Sequence, residues 1–149
     1  MIIKIKNEKK KELDNFIDLN KNDTDNLDKS GLIMMQKKGL NDTELYFIKF
    51  DKKIKGVLWL QTPQKNEINF KYMGIYISPD NRGKGFAKIL LRNILKKEKI
   101  LVVNIEKDNI NSLNLFKKYN FKVLSSLEEI KKYKPKEMSK DIITLVRKR

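Results

Sequence analysis

Residues 69–91 read NFKYMGIYISPDNRGKGFAKILL, and the hydrophobic period changes in the middle of this stretch. Up to Pro79 the apolar side chains alternate, as they do in a strand. One face carries Phe70, Tyr72 and Tyr76, and the other carries Met73, Ile75 and Ile77. Further on, apolar residues recur at helical spacing, at Ala87, Leu90, Leu91, Ile94 and Leu95. Because proline cannot donate to a sheet ladder, the stretch predicts a strand that ends at Pro79, a glycine-bearing loop and an amphipathic helix.

The junction between the two periods is Arg82-Gly-Lys-Gly-Phe-Ala87. The first N–H groups of the helix have no partner within the helix, and they point into this loop. Glycines at 83 and 85 allow a ligand to approach the backbone closely, and the helix dipole favours negative charge there. The junction therefore predicts an anion-binding site, most often one for phosphate.

Known phosphate motifs can be tested against this junction. A Walker loop needs Gly-Lys-Ser/Thr, but Gly85 is followed by Phe86; the dinucleotide fingerprint needs glycine at position 88, where the chain has lysine. The pattern Arg/Gln-x-x-Gly-x-Gly/Ala does fit, at Arg82, Gly85 and Ala87, with Ile75-x-Ile77-x-Pro79 just before it. In this combination the stretch resembles the signature of the GCN5-related N-acetyltransferase (GNAT) superfamily.

A second motif follows the next predicted strand, Ile100–Ile105. Residues 109–121 are similar to the family pattern Asn-x-x-Ala-x-x-Leu-Tyr-x-Lys-x-Gly-Phe. The match holds at Asn109, Leu115, Lys118 and Phe121, with Ser112 as a small substitute for alanine. The alternative interpretation is an ordinary amphipathic helix with Leu113 and Phe116 on one face. Two correctly spaced matches favour the family resemblance.

The rest of the chain predicts further strands and helices around this centre. A first strand covers Ile2–Ile5, and a helix covers Glu8–Asn20 with Leu13, Phe16 and Ile17 on its buried face. A second helix, capped by Asp23 or Thr24, is expected to bury Leu27, Met34 and Met35 and to stop at Gly39. The remaining strands are Glu44–Phe50, Ile54–Gln61, Phe121–Leu124 and Ile142–Val146, with a basic, proline-bearing loop before the last.

This order of elements is similar to that of the GNAT fold. The resemblance implies the α/β (α+β) class and a single acetyltransferase-like domain over residues 1–149. It also implies a mixed central sheet of about seven strands, the number predicted above, with flanking helices and with splayed parallel strands 4 and 5. The succession of strand, helix and strand predicts the same parallel pair, joined by a right-handed crossover.

Composition excludes several kinds of chemistry. The chain of 149 residues has no cysteine and no histidine, which removes disulfides, thiolate ligands and the commonest general base. Triad hydrolases and zinc enzymes are therefore not expected, and we expect no metal. The N-terminal apolar stretch is too short for a signal peptide, and no apolar run approaches the roughly 20 residues of a membrane span. We expect a cytoplasmic protein without a membrane partner.

The net charge of +15 comes from 34 basic and 19 acidic residues. Such a charge attracts nucleic acid, ribosomes or an anionic cofactor. The alternative is compositional, because lysine, asparagine and isoleucine are abundant together, as in A+T-rich coding sequences. Since the lysines are scattered rather than gathered into one stripe, we favour composition over a nucleic-acid or ribosome partner.

The resemblance implies acetyl-coenzyme A (acetyl-CoA) as co-substrate. Its pyrophosphate would bind the amides of Gly83, Lys84, Gly85, Phe86 and Ala87, and Arg82, Lys84 and Lys88 would add positive charge. Its pantetheine arm would run between the strand ending at Ile77 and the strand beginning at Ile100, using backbone groups of Ile75 and Ile77. Asn109, Ser112 and Phe116 of the second motif would complete the cofactor site.

The resemblance also gives Ile75 a catalytic part. In the family, a backbone amide at the matching position holds the acetyl carbonyl, which makes it an oxyanion hole. Gly74, just before it, marks either a bulge that leaves this amide unpaired or a plain packing glycine. The sequence leaves both interpretations of Gly74 open.

The chain departs from the family at the proton-transfer groups. Many members carry a tyrosine acid where Phe116 stands, and some carry a glutamate base where Lys71 stands. Phenylalanine cannot donate a proton, so Tyr119 is the nearest substitute, with Tyr72 and Tyr76 behind it. Glu106 is the predicted base, and Glu67 or a water relay are the alternatives.

The predicted activity is acetyl-CoA-dependent N-acetylation of a primary amine on an unidentified acceptor, either a protein or peptide or a small molecule. One alternative is the same fold acting on an RNA-borne amine such as aminoacyl-tRNA. Another is a non-catalytic acyl-CoA-binding module, which the Phe116 and Lys71 departures would suit. The chain is expected to be a monomer or a homodimer.

Overall fold

The structure is a computed structural model that describes residues 2–5, 10–64, 69–135 and 138–149. The strands are β1 (Ile2–Ile5), β2 (Thr43–Phe50), β3 (Lys53–Gln61), β4 (Lys71–Ile77), β5 (Ile100–Glu106), β6 (Lys122–Val123) and β7 (Ile142–Lys148). The helices are α1 (Lys10–Leu19), α2 (Thr24–Ser30), α3 (Leu32–Lys38), α4 (Phe86–Leu95), α5 (Ile110–Lys118) and α6 (Leu127–Tyr133). Within these ranges no helix is both long enough and apolar enough to cross a membrane.

The seven strands form one mixed sheet in the order β1-β2-β3-β4-β5-β7-β6. β4 is parallel to β5, with Lys71 opposite Leu101 and Tyr72 opposite Val102. β7 is antiparallel to both β5 and β6, so the last strand of the chain enters the sheet between them. The predicted class, the number of strands and the parallel pair of strands 4 and 5 are confirmed.

Contacts between residues group the described chain into two compact units. The first lies within residues 1–62 and 74–97. Its core joins the apolar faces of α1, α2 and α3 to those of β2, β3 and β4. The buried members are Leu13, Phe16, Ile17, Leu27, Leu32, Met35, Leu40, Leu45, Phe47, Val57, Trp59 and Tyr76. The predicted buried face of α1 is confirmed, while its predicted first residues, 8 and 9, lie outside the described part of the chain.

The second predicted helix is wrong in one respect, because the chain divides it into α2 and α3. Gly31 between them has φ +85°, in the left-handed region that ends a helix, and its N–H bonds to the Asp28 carbonyl at 3.2 Å. The direction of the chain changes there, so the helical spacing does not continue across it. Met35 is buried as predicted, but Met34 is 61% exposed.

Gly74 in β4 faces the indole ring of Trp59 on β3. A Cβ added at position 74 would overlap the Cζ2 and Cε2 atoms of this ring. Trp59 is itself only 4% exposed and belongs to the core. The packing role of Gly74 is therefore confirmed, because any larger side chain would displace a buried aromatic ring. The bulge that would leave the Ile75 amide unpaired stays a prediction.

The second unit lies within residues 63–73 and 98–149. Its buried cluster contains Phe70, Val102, Tyr133 and Val146. The sequence prediction was wrong about part of this unit, because residues 131–133, the start of the expected basic loop 131–140, form the end of α6. Tyr133, at the end of α6, packs edge-to-face on Phe70, with ring centroids 5.2 Å apart, and so attaches the helix to the buried cluster. Residues 136–137 of the predicted loop lie outside the described residues.

Candidate functional site

The chain leaves β4 through an anchored turn. β4 ends at Ile77, and Pro79 opens a single 3-10 turn, Pro79–Asn81. Both the N–H and the hydroxyl of Ser78 donate to the Lys55 carbonyl on β3, at 3.0 and 2.8 Å. The Asn81 amide donates to the Ser78 hydroxyl at 2.9 Å. These bonds fix the base of the loop that follows.

The two loop glycines adopt backbone conformations that other residues rarely adopt. Gly83 has φ +76°, and Gly85, the N-cap of α4, has φ +86° and ψ 6°. A Cβ at either position would meet no atom of the described chain within 4 Å. The backbone here therefore presents an open face, and the predicted junction of strand, loop and helix is confirmed.

α4 begins at Phe86 without a side-chain cap. Glycine supplies no capping oxygen, and the first turn of α4 contains no acidic residue. The first N–H groups of a helix have no acceptor within the helix, and its dipole adds partial positive charge. Lys84 and Lys88 are both exposed and flank this start. The open face and the uncompensated positive charge fit a diphosphate.

Arg82, expected to add charge at the phosphate, instead makes three contacts within the first unit. Its Nη2 donates to Oδ2 of Asp23 at 2.7 Å, and its Nε donates to the Ile77 carbonyl at 3.0 Å. The guanidinium also lies over the ring of Tyr76, 5.4 Å from the ring centre. Asp23 was not among the predicted site residues, because 59 positions separate it from Arg82.

Asp23 and Tyr76 share a short hydrogen bond that shifts both pKa values. The Tyr76 hydroxyl donates to Oδ2 of Asp23 at 2.5 Å. Burial raises the pKa of Tyr76 well above its ordinary value, and the hydrogen bond to Asp23 raises it further. Burial alone would raise the pKa of Asp23, but hydrogen bonds from Tyr76, Asn26 and Arg82 outweigh it, so this pKa is lowered. Asp23 therefore carries its negative charge at neutral pH.

In the second unit, the structure brings Glu106, Asn109 and Ser112 together at the start of α5. Asn109 is the N-cap of α5, and its Oδ1 accepts a hydrogen bond from the Ser112 N–H at 3.3 Å. The Asn109 N–H donates to the Glu106 carbonyl at 2.9 Å. The Asn109 side chain thus has a capping role in addition to the cofactor contact that the resemblance implies.

Tyr119, the predicted acid, lies at the other end of α5. Phe116, which stands where many family members have a tyrosine acid, lies there as well. Phe116 is 6% exposed and packs edge-to-face on Phe121, with ring centroids 5.1 Å apart. Tyr119 is the C-cap, with its N–H bonded to the Phe116 carbonyl at 3.0 Å. The phenylalanine therefore has a packing role, and Tyr119 is partly exposed beside it.

Lys71, which stands where some family members have a glutamate base, and Tyr72, an alternative acid, have partners inside the second unit. Lys71, at the start of β4, forms an ion pair with Glu98 at 2.9 Å. The Tyr72 hydroxyl donates to the Tyr133 carbonyl at 2.6 Å, and burial raises the pKa of Tyr72. Glu67, the alternative base, lies outside the described residues.

Comparisons with known proteins agree with this fold. No curated protein matches the sequence of the chain. A GNAT-family acetyltransferase from Streptococcus pneumoniae has a similar structure, with TM-score 0.71, 11% identity, and coverage of 100% of this chain and 99% of that one. A GNAT-family acetyltransferase from Staphylococcus aureus Mu50 gives TM-score 0.68, 16% identity, and coverage of 99% and 98%.

A third similar structure contains a ligand. The Campylobacter jejuni N-acetyltransferase PseH, in complex with acetyl coenzyme A, gives TM-score 0.60, 17% identity, and coverage of 100% of this chain and 99% of that one. At these identities the likeness shows the fold. The model of the acetyltransferase (GNAT) family itself matches residues 12–121, most of the chain and both of its motifs. The chain therefore belongs to the GNAT family of acetyltransferases.

Proposed function

We propose that this protein transfers the acetyl group of acetyl-CoA to a primary amine of an acceptor, which is a protein or peptide or a small molecule. The observation that carries the proposal is the start of α4. There, an uncapped helix start follows two left-handed glycines whose outer face is open. In a GNAT-family chain, this is the place for the diphosphate of coenzyme A (CoA).

The proposed cofactor contacts fall into three groups, according to the part of the chain that supplies them. The amides from Gly83 to Ala87 bind the diphosphate, and Lys84 and Lys88 supply mobile positive charge beside it. Backbone groups of Ile75 and Ile77 serve the pantetheine arm and the acetyl carbonyl. Asn109, Ser112 and Phe116 are assigned to the cofactor from the family motif.

Transfer to an amine needs position more than strong acid or base groups. The thioester supplies an acetyl group that is already activated. A C–N bond forms as the C–S bond breaks, the amine loses one proton, and the departing sulfur gains one. The Ile75 N–H stabilises the negative charge that develops on the carbonyl oxygen.

Tyr119 is the proposed acid. Tyr72 and Tyr76 are weaker candidates, because their hydroxyls already donate to the Tyr133 carbonyl and to Asp23, and both pKa values are raised. A phenol with a raised pKa releases its proton less readily. Glu106 is the proposed base, with a water molecule as relay.

The test is a thiol-release assay with acetyl-CoA and a panel of peptide, aminoglycoside, polyamine and tRNA acceptors. Since the chain has no cysteine, the protein itself adds no thiol to the CoA signal. Release with one acceptor class, confirmed by an added acetyl mass on the acceptor, supports the proposal. Steep loss of acceptor binding with salt would identify an RNA-borne amine. Binding of acetyl-CoA without turnover on any acceptor would contradict the enzymatic proposal.

A further inference from the structure

Asp23, on the segment between α1 and α2, is hydrogen-bonded at both carboxylate oxygens. Oδ1 accepts from the Asn26 amide at 2.8 Å, and Oδ2 accepts from Tyr76 at 2.5 Å and from Arg82 at 2.7 Å. The side chain of Asp23 is 17% exposed. A carboxylate held by three donors in a half-buried place has a fixed position and a stable charge.

Arg82 connects Asp23 to the loop of residues 82–85 that leads into α4. Its guanidinium is held at Asp23, at the Ile77 carbonyl and over the Tyr76 ring. Only three positions separate Arg82 from Gly85, the N-cap of α4. The intervening glycine at 83 gives this segment wide conformational freedom, which a firm anchor on one side restricts.

The same contacts limit the electrostatic attraction that Arg82 can offer to a diphosphate. Its positive charge is already compensated by Asp23, so its net contribution to the field at the start of α4 is small. Lys84 and Lys88 are exposed and can supply that field. Arg82 therefore suits placement of the loop better than direct charge pairing.

We infer that Asp23 is a positioning residue for the loop of residues 82–85, and that it acts through Arg82. This inference rests on the proposed function, since it assigns the loop to CoA. In this account, the Asp23–Arg82 pair stays closed when CoA binds, and it holds the amides of the loop in the arrangement that receives the diphosphate.

The competing arrangement makes the opposite prediction for one variant. If Arg82 left Asp23 to pair with the diphosphate, Asp23 would be an inhibitor of binding. Asp23→Asn would then release Arg82 and tighten the complex. If Asp23 positions the loop, Asp23→Asn loosens Arg82 and weakens the complex. The direction of the change in affinity separates the two.

The experiment measures the dissociation constant of CoA by calorimetry for the wild type, Asp23→Asn, Arg82→Gln and the double variant. We expect Asp23→Asn to weaken binding about tenfold, the usual loss for one charge-assisted hydrogen bond. The double variant should bind as Arg82→Gln does, because both changes break one pair. Asp28→Asn, an exposed acid on α2, removes the same charge and is the control, with unchanged affinity expected.

Salt dependence supplies a readout that a general loss of structure would not reproduce. If Arg82 only positions the loop, Arg82→Gln lowers the affinity without changing how steeply the affinity falls with added salt. Thermal unfolding of each variant checks that the fold is retained. Arg82→Lys keeps the charge and loses the fork geometry, so we expect it to bind as weakly as Arg82→Gln.

Two outcomes would overturn the inference while leaving the proposed function in place. One is CoA binding by Asp23→Asn that equals or exceeds that of the wild type. The other is a shallower salt dependence for Arg82→Gln, which would make Arg82 a direct phosphate ligand. A wild-type protein that does not bind CoA would contradict the proposed function itself, and the inference with it.

Discussion

Helices α4 and α6 begin in opposite ways. At α6, the Ser126 hydroxyl accepts a hydrogen bond from the Glu129 N–H at 3.2 Å, and Glu128 and Glu129 place negative charge in the first turn. At α4, Gly85 offers no side chain, and the first turn has no acid. Every helix start has unpaired N–H groups and partial positive charge. α6 caps one of these N–H groups from its own sequence, whereas α4 has no side-chain cap, and we propose that the diphosphate binds there.

The difference shows how the proposed anion site at α4 depends on groups that are missing from the helix start. The start of α4 lacks the serine, the acids and even the Cβ atom that an ordinary helix start would carry. Its neighbours, Lys84 and Lys88, have the sign opposite to that of the acids at α6. Each difference between the two helix starts can be tested by exchanging it.

The largest effect is expected for Gly85→Ala, which places a methyl group on the open face of the loop. We expect the affinity for CoA to fall about 100-fold, the equivalent of one or two charge-assisted hydrogen bonds, because the diphosphate can no longer approach the amides. Calorimetry with CoA gives the dissociation constant.

Gly31→Ala is a matched control for this substitution. Gly31 has φ 85° and ψ 0°, Gly85 has φ 86° and ψ 6°, and neither has an atom within 4 Å of an added Cβ. Both variants carry the same backbone strain, so their losses in unfolding free energy should be similar. Equal affinities of the two variants for CoA would show that the loop is not the phosphate site.

The next largest effect is expected when α4 is given an acid like those of α6. Lys88→Glu should weaken CoA binding about tenfold, because a negative charge then faces the diphosphate. The same change should stabilise the free protein by about 0.5 kcal/mol, since it complements the helix dipole. Affinity is measured by calorimetry and stability by urea unfolding.

Lys88→Gln separates loss of the lysine from gain of the acid, and its effect on affinity should be intermediate. For Lys88→Glu, the affinity for CoA is expected to fall while the stability of the free protein rises. If affinity and stability rise together, the start of α4 does not receive an anion.

A smaller effect is expected at α6. Ser126→Ala should lower the free energy of unfolding by about 1 kcal/mol, the usual value of a lost N-cap, and leave the affinity for CoA within twofold of the wild type. Urea unfolding followed by circular dichroism measures the first quantity. Ser126→Asp, which also caps, should restore most of the stability. A loss of CoA affinity in Ser126→Ala would remove the contrast between the two helices.

The smallest effect is a pH dependence that comes from Asp23. Because its folded-state pKa lies below the ordinary 3.8, its contribution to stability is fully present above that pH and is lost as pH falls through the lower folded value. Unfolding temperatures measured from about pH 2 to pH 6 should therefore fall less steeply on acidification for Asp23→Asn than for the wild type. Parallel curves would show that Asp23 has an ordinary pKa.

The start of α4 could be predicted from the sequence because all its determinants are local. A period of two changes to helical spacing within 23 residues, and proline and glycine mark the boundary. The start of α6 carried a local signal as well, the pair Ser126 and Glu129 at capping-box spacing, and reading it would have predicted this helix. The division at Gly31 is a weaker case, because glycine is also tolerated inside helices.

The surroundings of Arg82 could not be predicted in the same way. Its partner Asp23 is 59 positions away and belongs to a segment whose placement depends on packing of the first unit. The same holds for Gly74, because the need for glycine there comes from the Trp59 ring on the neighbouring strand. Sequence patterns locate elements and exposed loops, whereas contacts between distant elements arise only when the core assembles.

The most direct test of the central claim is a titration of the isotope-labelled protein with CoA, observed through its backbone amide resonances. The account predicts that the amides of Phe86, Ala87 and Lys88 shift strongly and saturate together, while those of Leu127, Glu128 and Glu129 remain in place. CoA binding that leaves the α4 amides unshifted, or that shifts both helix starts equally, would contradict it.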